Sequence, residues 1–248
     1  MPLEHPFPTA VERAECLNAK FHGKSAQEVI EFTLSAPEIG RVALVSSFGA
    51  ESVVLLHMVA QIDKSAPVLF IDTEMLFSET LAYQKTVART LGLKTVQTIT
   101  PDRDAVFLRD NSSRLHVHNP DACCDLRKTA PLESALADFD GWFTGRKRYQ
   151  GGQRAQLDFF EADGDRIKVN PLAYWSPKDV PAYIAQHHLP KHPLVAKGFA
   201  SLGCAPCTSR VIDGEDQRAG RWRGQDKSEC GIHFEDGPAM RASLKEAI

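Results

Sequence analysis

The sequence predicts an α/β fold: a doubly wound, mostly parallel sheet with helices on both faces, continued by a C-terminal tail. Two observations carry this. Short β-branched runs alternate with amphipathic stretches, the pattern of buried strands feeding crossover helices. After Pro190 that periodicity stops, and the composition turns to Gly, Pro, Cys, Arg and Trp.

Taken in order, residues 1–40 read as a helical N-terminal segment. Val11, Leu17, Phe21, Val29, Ile30 and Phe32 recur at helical spacing until Pro37 and Gly40 break it. From Val42 the register changes. The runs 42–45, 68–71, 95–99 and 142–144 are expected to be strands, with 53–60 and 80–91 as crossover helices. The right-handed crossover rule then leaves a doubly wound topology, with ligands at the carboxyl ends of the strands. A further strand at 167–169 precedes Ser176-Pro177-Lys178-Asp179, where Ser suits a cap, Pro the first helical position and Asp the first turn, so a helix should run to about His187. Residues 41–215 are thus expected to form an α/β domain and 216–248 a tail. The stretch 218–230 is polar enough to stay mobile until a ligand or the core holds it.

The 248 residues carry a formal charge of −3, which argues against a nucleic-acid-binding protein, so any anion site must be a local basic cluster. The start lacks a charged-then-apolar leader, and no apolar run approaches the ~18 residues of a membrane span. A cytosolic protein with no membrane partner is expected. In that reducing compartment six cysteines suggest ligands or reactive thiols before disulfides.

The first predicted strand runs into Ser46-Ser47-Phe48-Gly49-Ala50-Glu51-Ser52. Backbone N–H groups at a helix start, helped by the hydroxyls of Ser46, Ser47 and Ser52, can hold a phosphate, and Gly49 permits close approach. The loop is neither a Walker A nor a G-x-G-x-x-G motif, and a plain serine-capped turn would also account for it. It resembles the pyrophosphate loop of the adenine-nucleotide hydrolase-like superfamily, usually Ser-Gly-Gly-x-Asp-Ser, altered here at one glycine. That resemblance implies that Asp72 and Thr73, ending the next strand, face the nucleoside; helix capping is the alternative.

Cys123-Cys124 and Cys204-Ala205-Pro206-Cys207 supply four thiols in two pairs, able to hold Zn²⁺ or an iron–sulfur cluster. Adjacent cysteines are uncommon in structural zinc knuckles, which favours a cluster. A redox dithiol at 204/207 and two packed cysteines at 123/124 are the plainer readings. Arg127 and Lys128 put positive charge nearby, though a solvated helix face is the default for both. Cys230, in Lys227-Ser228-Glu229-Cys230-Gly231-Ile232-His233, has a cation and a histidine near it that would favour the thiolate, as a nucleophile needs. Cys16 lacks such neighbours and is assigned to packing.

With these motifs the chain, from Val42 to Phe234, resembles assimilatory adenosine 5′-phosphosulfate reductases. The match rests on the altered loop, Asp72-Thr73, Cys123-Cys124 with Arg127-Lys128, Thr144-Gly145-Arg146-Lys147-Arg148, Gly203-Cys204-x-x-Cys207, Arg218-Ala219-Gly220-Arg221-Trp222 and Glu229-Cys230-Gly231-Ile232-His233. The resemblance implies a [4Fe–4S] cluster on Cys123, Cys124, Cys204 and Cys207, with Lys128 bridging it toward substrate. It implies a redox-active tail whose Cys230 attacks the sulfate sulfur, and Gly145, Arg154, Arg218 and Arg221 gripping the nucleotide's phosphate and sulfate. For one or two of Arg146, Lys147 and Arg148 a solvated basic turn is at least as good an explanation. The reductant implied is thioredoxin or a similar dithiol protein, since no such domain is appended, and a homo-oligomer is compatible with the sequence. The pathway implied is sulfate assimilation toward cysteine. Competing readings are a 3′-phosphoadenosine 5′-phosphosulfate reductase on the same scaffold, which the paired cysteines disfavour, an adenylating ATP pyrophosphatase with a zinc site, and a cluster-containing nucleotide sensor without turnover.

Overall fold

The computed structural model describes residues 8–225, 227, 229 and 231–233. Two capped helices lead in. In α1 (Ala10–Phe21) Thr9 and Glu12 form a reciprocal capping box, and in α2 (Ala26–Ser35) Ser25 and Glu28 do the same, satisfying backbone donors that the first turn leaves unpaired. Then β1 (Val42–Ser46), α3 (Ser52–Ile62), β2 (Val68–Ile71), α4 (Ser78–Leu91) and β3 (Val96–Ile99) alternate as the sequence predicts. Next come α5 (Arg103–Asp110), α6 (Leu115–His118), α7 (Pro120–Cys124), a π-helical turn (Asp125–Thr129) and α8 (Ala130–Ala135). The chain returns to the sheet as β4 (Gly141–Phe143), β5 (Phe160–Asp163) and β6 (Arg166–Val169), and α9 (Asp179–Gln186) follows.

The six strands are ordered β3-β2-β1-β4-β6-β5, all parallel except β5, which pairs antiparallel with β6. Alternation along the strands sorts side chains onto two faces. Val42, Leu44, Val68, Phe70 and Phe143 enter the larger core with the leading helices, α3, α4 and α9. Ala43, Leu69, Ile71 and Trp142 point the other way, toward Leu132 and Leu136 of the α8 region and, from the C-terminal segment, Trp222 and Ile232. The C-terminal segment therefore completes the second face where a further helix is missing. Strand order reverses between β1 and β4, so their carboxyl ends diverge and leave a crevice there.

The structure departs from expectation at three points. The edge strand β5 was not foreseen, because Phe160-Glu161-Ala162-Asp163 is half acidic; its cue is the two-residue Gly164-Asp165 turn, with Gly164 at φ 63°. The helix after β6 begins at Asp179, not at Pro177, since Asp179 Oδ2 accepts from the Ser176 N–H at 2.6 Å and closes a turn ahead of the helix. Cys16 is exposed, because Ala14, Leu17 and Phe21 hold the buried face of α1. Of the three basic residues after Gly145, Arg146 and Lys147 are buried and ion-paired, while Arg148 is the half-exposed one, paired with Asp158. No described helix is long and apolar enough to cross a membrane.

Candidate active site

The β1 turn is shaped by Phe48. Its φ of 48° is left-handed, a conformation that favours glycine, yet its ring is fully buried and lies edge-on to Phe70 at 5.2 Å. Packing thus holds a strained backbone at the position where the superfamily pattern has its first glycine. The Ser46 hydroxyl accepts from the Phe48 N–H at 3.1 Å and the Ser52 hydroxyl donates to the Gly49 carbonyl at 2.8 Å, so two of the three serines brace the turn. α3 starts at Ser52 with no side-chain cap, and the Ser52 and Val54 N–H groups donate instead to the Gly49 and Glu51 carbonyls, at 3.3 and 3.2 Å.

The crevice is a cavity lined by Ser46, Ser47, Gly49 and Ser52 on one side and Thr144, Gly145 and Lys147 on the other. Six cations line it (Lys128, Arg146, Lys147, Arg154, Arg218 and Arg221) against two carboxylates, Glu51 and Glu229. Both carboxylates are engaged. Glu51 accepts from Lys147 Nζ at 2.7 Å, Tyr149 Oη at 3.0 Å and Gln150 Nε2 at 3.3 Å. Glu229 accepts from Arg154 Nε at 2.6 Å and NH2 at 2.8 Å, with Arg218 NH2 3.2 Å from Oε1. Burial lowers the Lys147 pKa, against the pull of Glu51. Arg146 is held in a network with Glu161, Asn170 and Thr144. Arg221 donates to the Leu202 carbonyl at 3.2 Å, and its Nε is buried without a hydrogen-bond partner among the described residues. Its guanidinium lies so close over Gly203 that a Cβ there would stand 2.3 Å from NH2.

A second, smaller cavity is ringed by Cys123, Cys124, Cys204 and Cys207 with Thr73, His116 and Arg127. Three separate segments meet there. The Cys204 segment pairs with the β2–α4 connection through a Leu76–Cys204 bridge and an Ala205 N–H to Met75 carbonyl bond of 2.7 Å. The Thr73 hydroxyl lies 3.2 Å from Cys204 Sγ. Trp222 N–H donates to the Cys207 carbonyl at 3.0 Å, which fastens the Arg221-Trp222 stretch to the same turn. Burial first, then the neighbouring sulfurs, push the Cys123 thiol up to about 12 and the Cys207 thiol up to about 11. His116 Nδ1 is buried without a partner among the described residues. No three His, Cys, Asp or Glu side chains among those residues are arranged to hold a single metal ion. Lys128 lines both cavities and so stands on the wall between them.

The structure therefore brings Ser46, Ser47, Gly49, Ser52, Lys128, Gly145, Arg154, Arg218 and Arg221 around one cavity and the four paired cysteines around the adjoining one. Thr73 faces the cysteines instead of the larger cavity, and the Asp72 carboxylate closes a short turn on the Glu74 N–H at 2.9 Å. Cys230 lies outside the described residues; Glu229 and Ile232, on either side of it, line the larger cavity. Lys227 pairs with Asp121, just ahead of the cysteine pair in α7. Sequence reasoning passed over Glu51, Gln150 and Glu229. A polar residue of ordinary type signals nothing until its partners are known, although Glu51 occupies the acidic position of the loop pattern.

A cationic crevice at the switch point of a doubly wound sheet, beside a thiol-lined cavity, defines an α/β protein built to receive an anion next to a cluster of four cysteines. Residues 41–210 match the phosphoadenosine phosphosulfate reductase domain, and the chain belongs to that family. The chain is 46% identical over 243 residues to the adenosine 5′-phosphosulfate reductase of Chelativorans sp. strain BNC1, covering 98% of each chain. It is 40% identical over 202 residues to the phosphoadenosine 5′-phosphosulfate reductase of Gloeobacter violaceus, covering 78% of this chain and 82% of that one. Among solved structures, a phosphoadenylyl-sulfate reductase from Candida auris, in a phosphate complex, superposes with a TM-score of 0.69 at 25% identity, over 84% of this chain and 100% of that one.

Proposed function

We propose that this protein is an oxidoreductase of sulfate assimilation that reduces adenosine 5′-phosphosulfate to sulfite and AMP, using thioredoxin or a similar dithiol protein. The observation that carries the reading is the cavity at the β1/β4 switch point: six cations in a chain of net charge −3, one of them, Arg221, with a buried donor that has no partner among the described residues. Buried donors are almost always satisfied, so an unpaired guanidinium N–H in a cavity is best explained by an anionic ligand.

In this reading residues 41–215 bind the nucleotide and the 216–248 tail carries the nucleophile. The β1 turn and the start of α3 receive the phosphate, and Arg154, Arg218 and Arg221 receive the sulfate and the remaining phosphate oxygens. The Cys230 thiolate attacks the sulfate sulfur, a sulfur–sulfur bond forms, the bond from sulfur to the bridging oxygen breaks, and AMP leaves with that electron pair. A thiolate of the reductant then attacks Cys230 sulfur and sulfite departs with its electron pair; the second thiol resolves the mixed disulfide. Sulfur gains two electrons and the dithiol becomes a disulfide, so the electrons come from outside the chain.

The four paired cysteines suit a [4Fe–4S] cluster. They ring a cavity instead of converging on one point, His116 lines that cavity with a buried ring nitrogen that has no partner among the described residues, and thiols kept protonated by burial and by one another become thiolates on binding a metal centre. Such a group would supply a fixed electrostatic centre next to Lys128.

The test is sulfite formation from adenosine 5′-phosphosulfate with thioredoxin, compared by kcat/KM with the 3′-phosphorylated nucleotide. The first is expected to be preferred, and Cys230→Ser should abolish sulfite while AMP binding and iron content persist. Preference for the 3′-phosphorylated nucleotide, the substrate named for the Gloeobacter relative, would shift the assignment to that second reading. Turnover surviving in Cys230→Ser would remove the mechanism.

A further inference from the structure

We propose that Glu229 is the positioning residue that seats the nucleophile-bearing tail over the anion site, by sharing the arginines that hold the substrate. The inference rests on the reading of Cys230 as nucleophile and of the cationic cavity as the nucleotide site.

Glu229 is only 5% exposed, and a carboxylate so far from water needs strong partners. It has two. Arg154 grips both of its oxygens, at 2.6 and 2.8 Å, in the bidentate geometry that suits a guanidinium, and Arg218 NH2 is 3.2 Å from Oε1. All three side chains line the same cavity. The tail has other anchors: Lys227 pairs with Asp121, Ile232 is buried in the second core, and Lys168 Nζ donates to the Ile232 carbonyl at 3.1 Å. Those contacts fasten the tail to α7 and to the sheet. Glu229 alone among them fastens it to the cations of the cavity, one residue away from the thiol.

A guanidinium offers more N–H donors than one carboxylate takes. Arg154 uses Nε and NH2 on Glu229 and NH1 on Gln150, and Arg218 adds a further donor set. The same pair can hold a sulfate or phosphate oxygen alongside Glu229. Shared arginines then fix the attacking thiolate and the attacked sulfur in one frame, converting an encounter between a tail and a ligand into a preset geometry. A neutral side chain of equal shape would fill the space and lose the grip.

The test is the rate at which one sulfonate group appears on Cys230, followed by intact mass in a single turnover with saturating adenosine 5′-phosphosulfate and no reductant. It is paired with AMP affinity and thermal melting for wild type, Glu229→Gln and Glu229→Asp. Wild type should form the adduct, Glu229→Gln should form it about tenfold or more slowly with AMP affinity held, and Glu229→Asp, which keeps the charge, should recover part of the rate. An unchanged rate in Glu229→Gln overturns the positioning role and leaves the mechanism standing. A rate loss matched by an equal loss of AMP affinity marks a merely structural residue, and faster turnover with tighter AMP binding marks Glu229 as a competitor of substrate; either overturns the proposal. Failure of wild type to form the adduct brings down the underlying reading, and this inference with it.

Discussion

Arg127 donates to Asp110 Oδ2 from both Nε, at 3.1 Å, and NH2, at 2.9 Å, with both side chains almost wholly buried. NH1 of the same guanidinium donates to the Thr73 carbonyl at 3.2 Å. One cation thus ties the end of α5 and the carboxyl end of β2 to the π-helical turn that follows Cys124. Removing one partner of a buried pair strands the other charge, so Arg127→Met should cost roughly 3–5 kcal/mol in denaturant unfolding. On the proposed cluster reading, iron retention should fall with it, because two of the segments that bring the cysteine pairs together meet at this side chain. Stability and iron content equal to wild type would show that the pair organises nothing.

That contact also marks how far the sequence could be read. The strand and helix alternation from 42 to 99 was legible because β1 and β2 are buried on both faces and read as nearly continuous apolar runs, while β3, half exposed at the sheet edge, shows by its β-branched residues. The cysteine pairs stood out by type and spacing. Arg127 did not: on a predicted helix it looks solvated, and only Asp110, seventeen positions earlier, accounts for its burial. Glu229 was hidden in the same way, since its partner Arg154 is seventy-five positions away. Chemistry-bearing types announce themselves locally, whereas buried ion pairs exist only once the fold has closed. The β5–β6 hairpin failed for a third reason, an acidic edge strand whose one plain signal was a two-residue turn.

Phe48 permits an unusual comparison. Its ring contributes full burial against Phe70, while its backbone carries the cost of a left-handed bulky residue. Phe48→Ala should destabilise by about 3–5 kcal/mol through the lost ring. In most positions glycine is worse than alanine by a further ~0.5–1 kcal/mol. Here the order should vanish or reverse, since glycine relieves a left-handed strain of about 1–2 kcal/mol that alanine keeps. Denaturation midpoints of the two variants decide it; a glycine variant clearly less stable than the alanine one refutes the strain argument.

His192 sets a pH dependence. It is fully buried, accepts the Leu194 N–H on Nδ1 at 3.2 Å, and so presents Nε2–H to the Thr80 hydroxyl at 3.0 Å as a neutral ring. Burial pulls its pKa down to about 4, against a small opposing pull from Glu79. The unfolded chain takes up the proton first, near the ordinary value of about 6.5. The stability this ring contributes is therefore complete above about pH 6.5 and is lost as the pH falls toward about 4, up to roughly 3 kcal/mol. In His192→Asn the difference in unfolding free energy from wild type should shrink over that window. A constant difference from pH 7 to 4 would mean the ring titrates normally in the fold.

Gly203 controls the reach of Arg221. A methyl group there would lie 2.3 Å from NH2 and 2.5 Å from the guanidinium carbon, so Gly203→Ala must push the guanidinium aside. The displaced atoms are the far end of a flexible side chain, and the backbone at 203 has no left-handed φ, so folding stability should change by less than about 1 kcal/mol. Anion recognition should suffer far more. A charge-assisted hydrogen bond is worth about 1.5–3 kcal/mol, so AMP affinity should fall roughly 10- to 100-fold. Replacing Arg221 by alanine should produce a loss of the same size, and adding Gly203→Ala to that variant should cost little more, because both changes remove one contact. Calorimetric titration of the four proteins with AMP measures this directly. Independent, additive losses would mean that Gly203 serves the Cys204 turn itself and not the guanidinium above it.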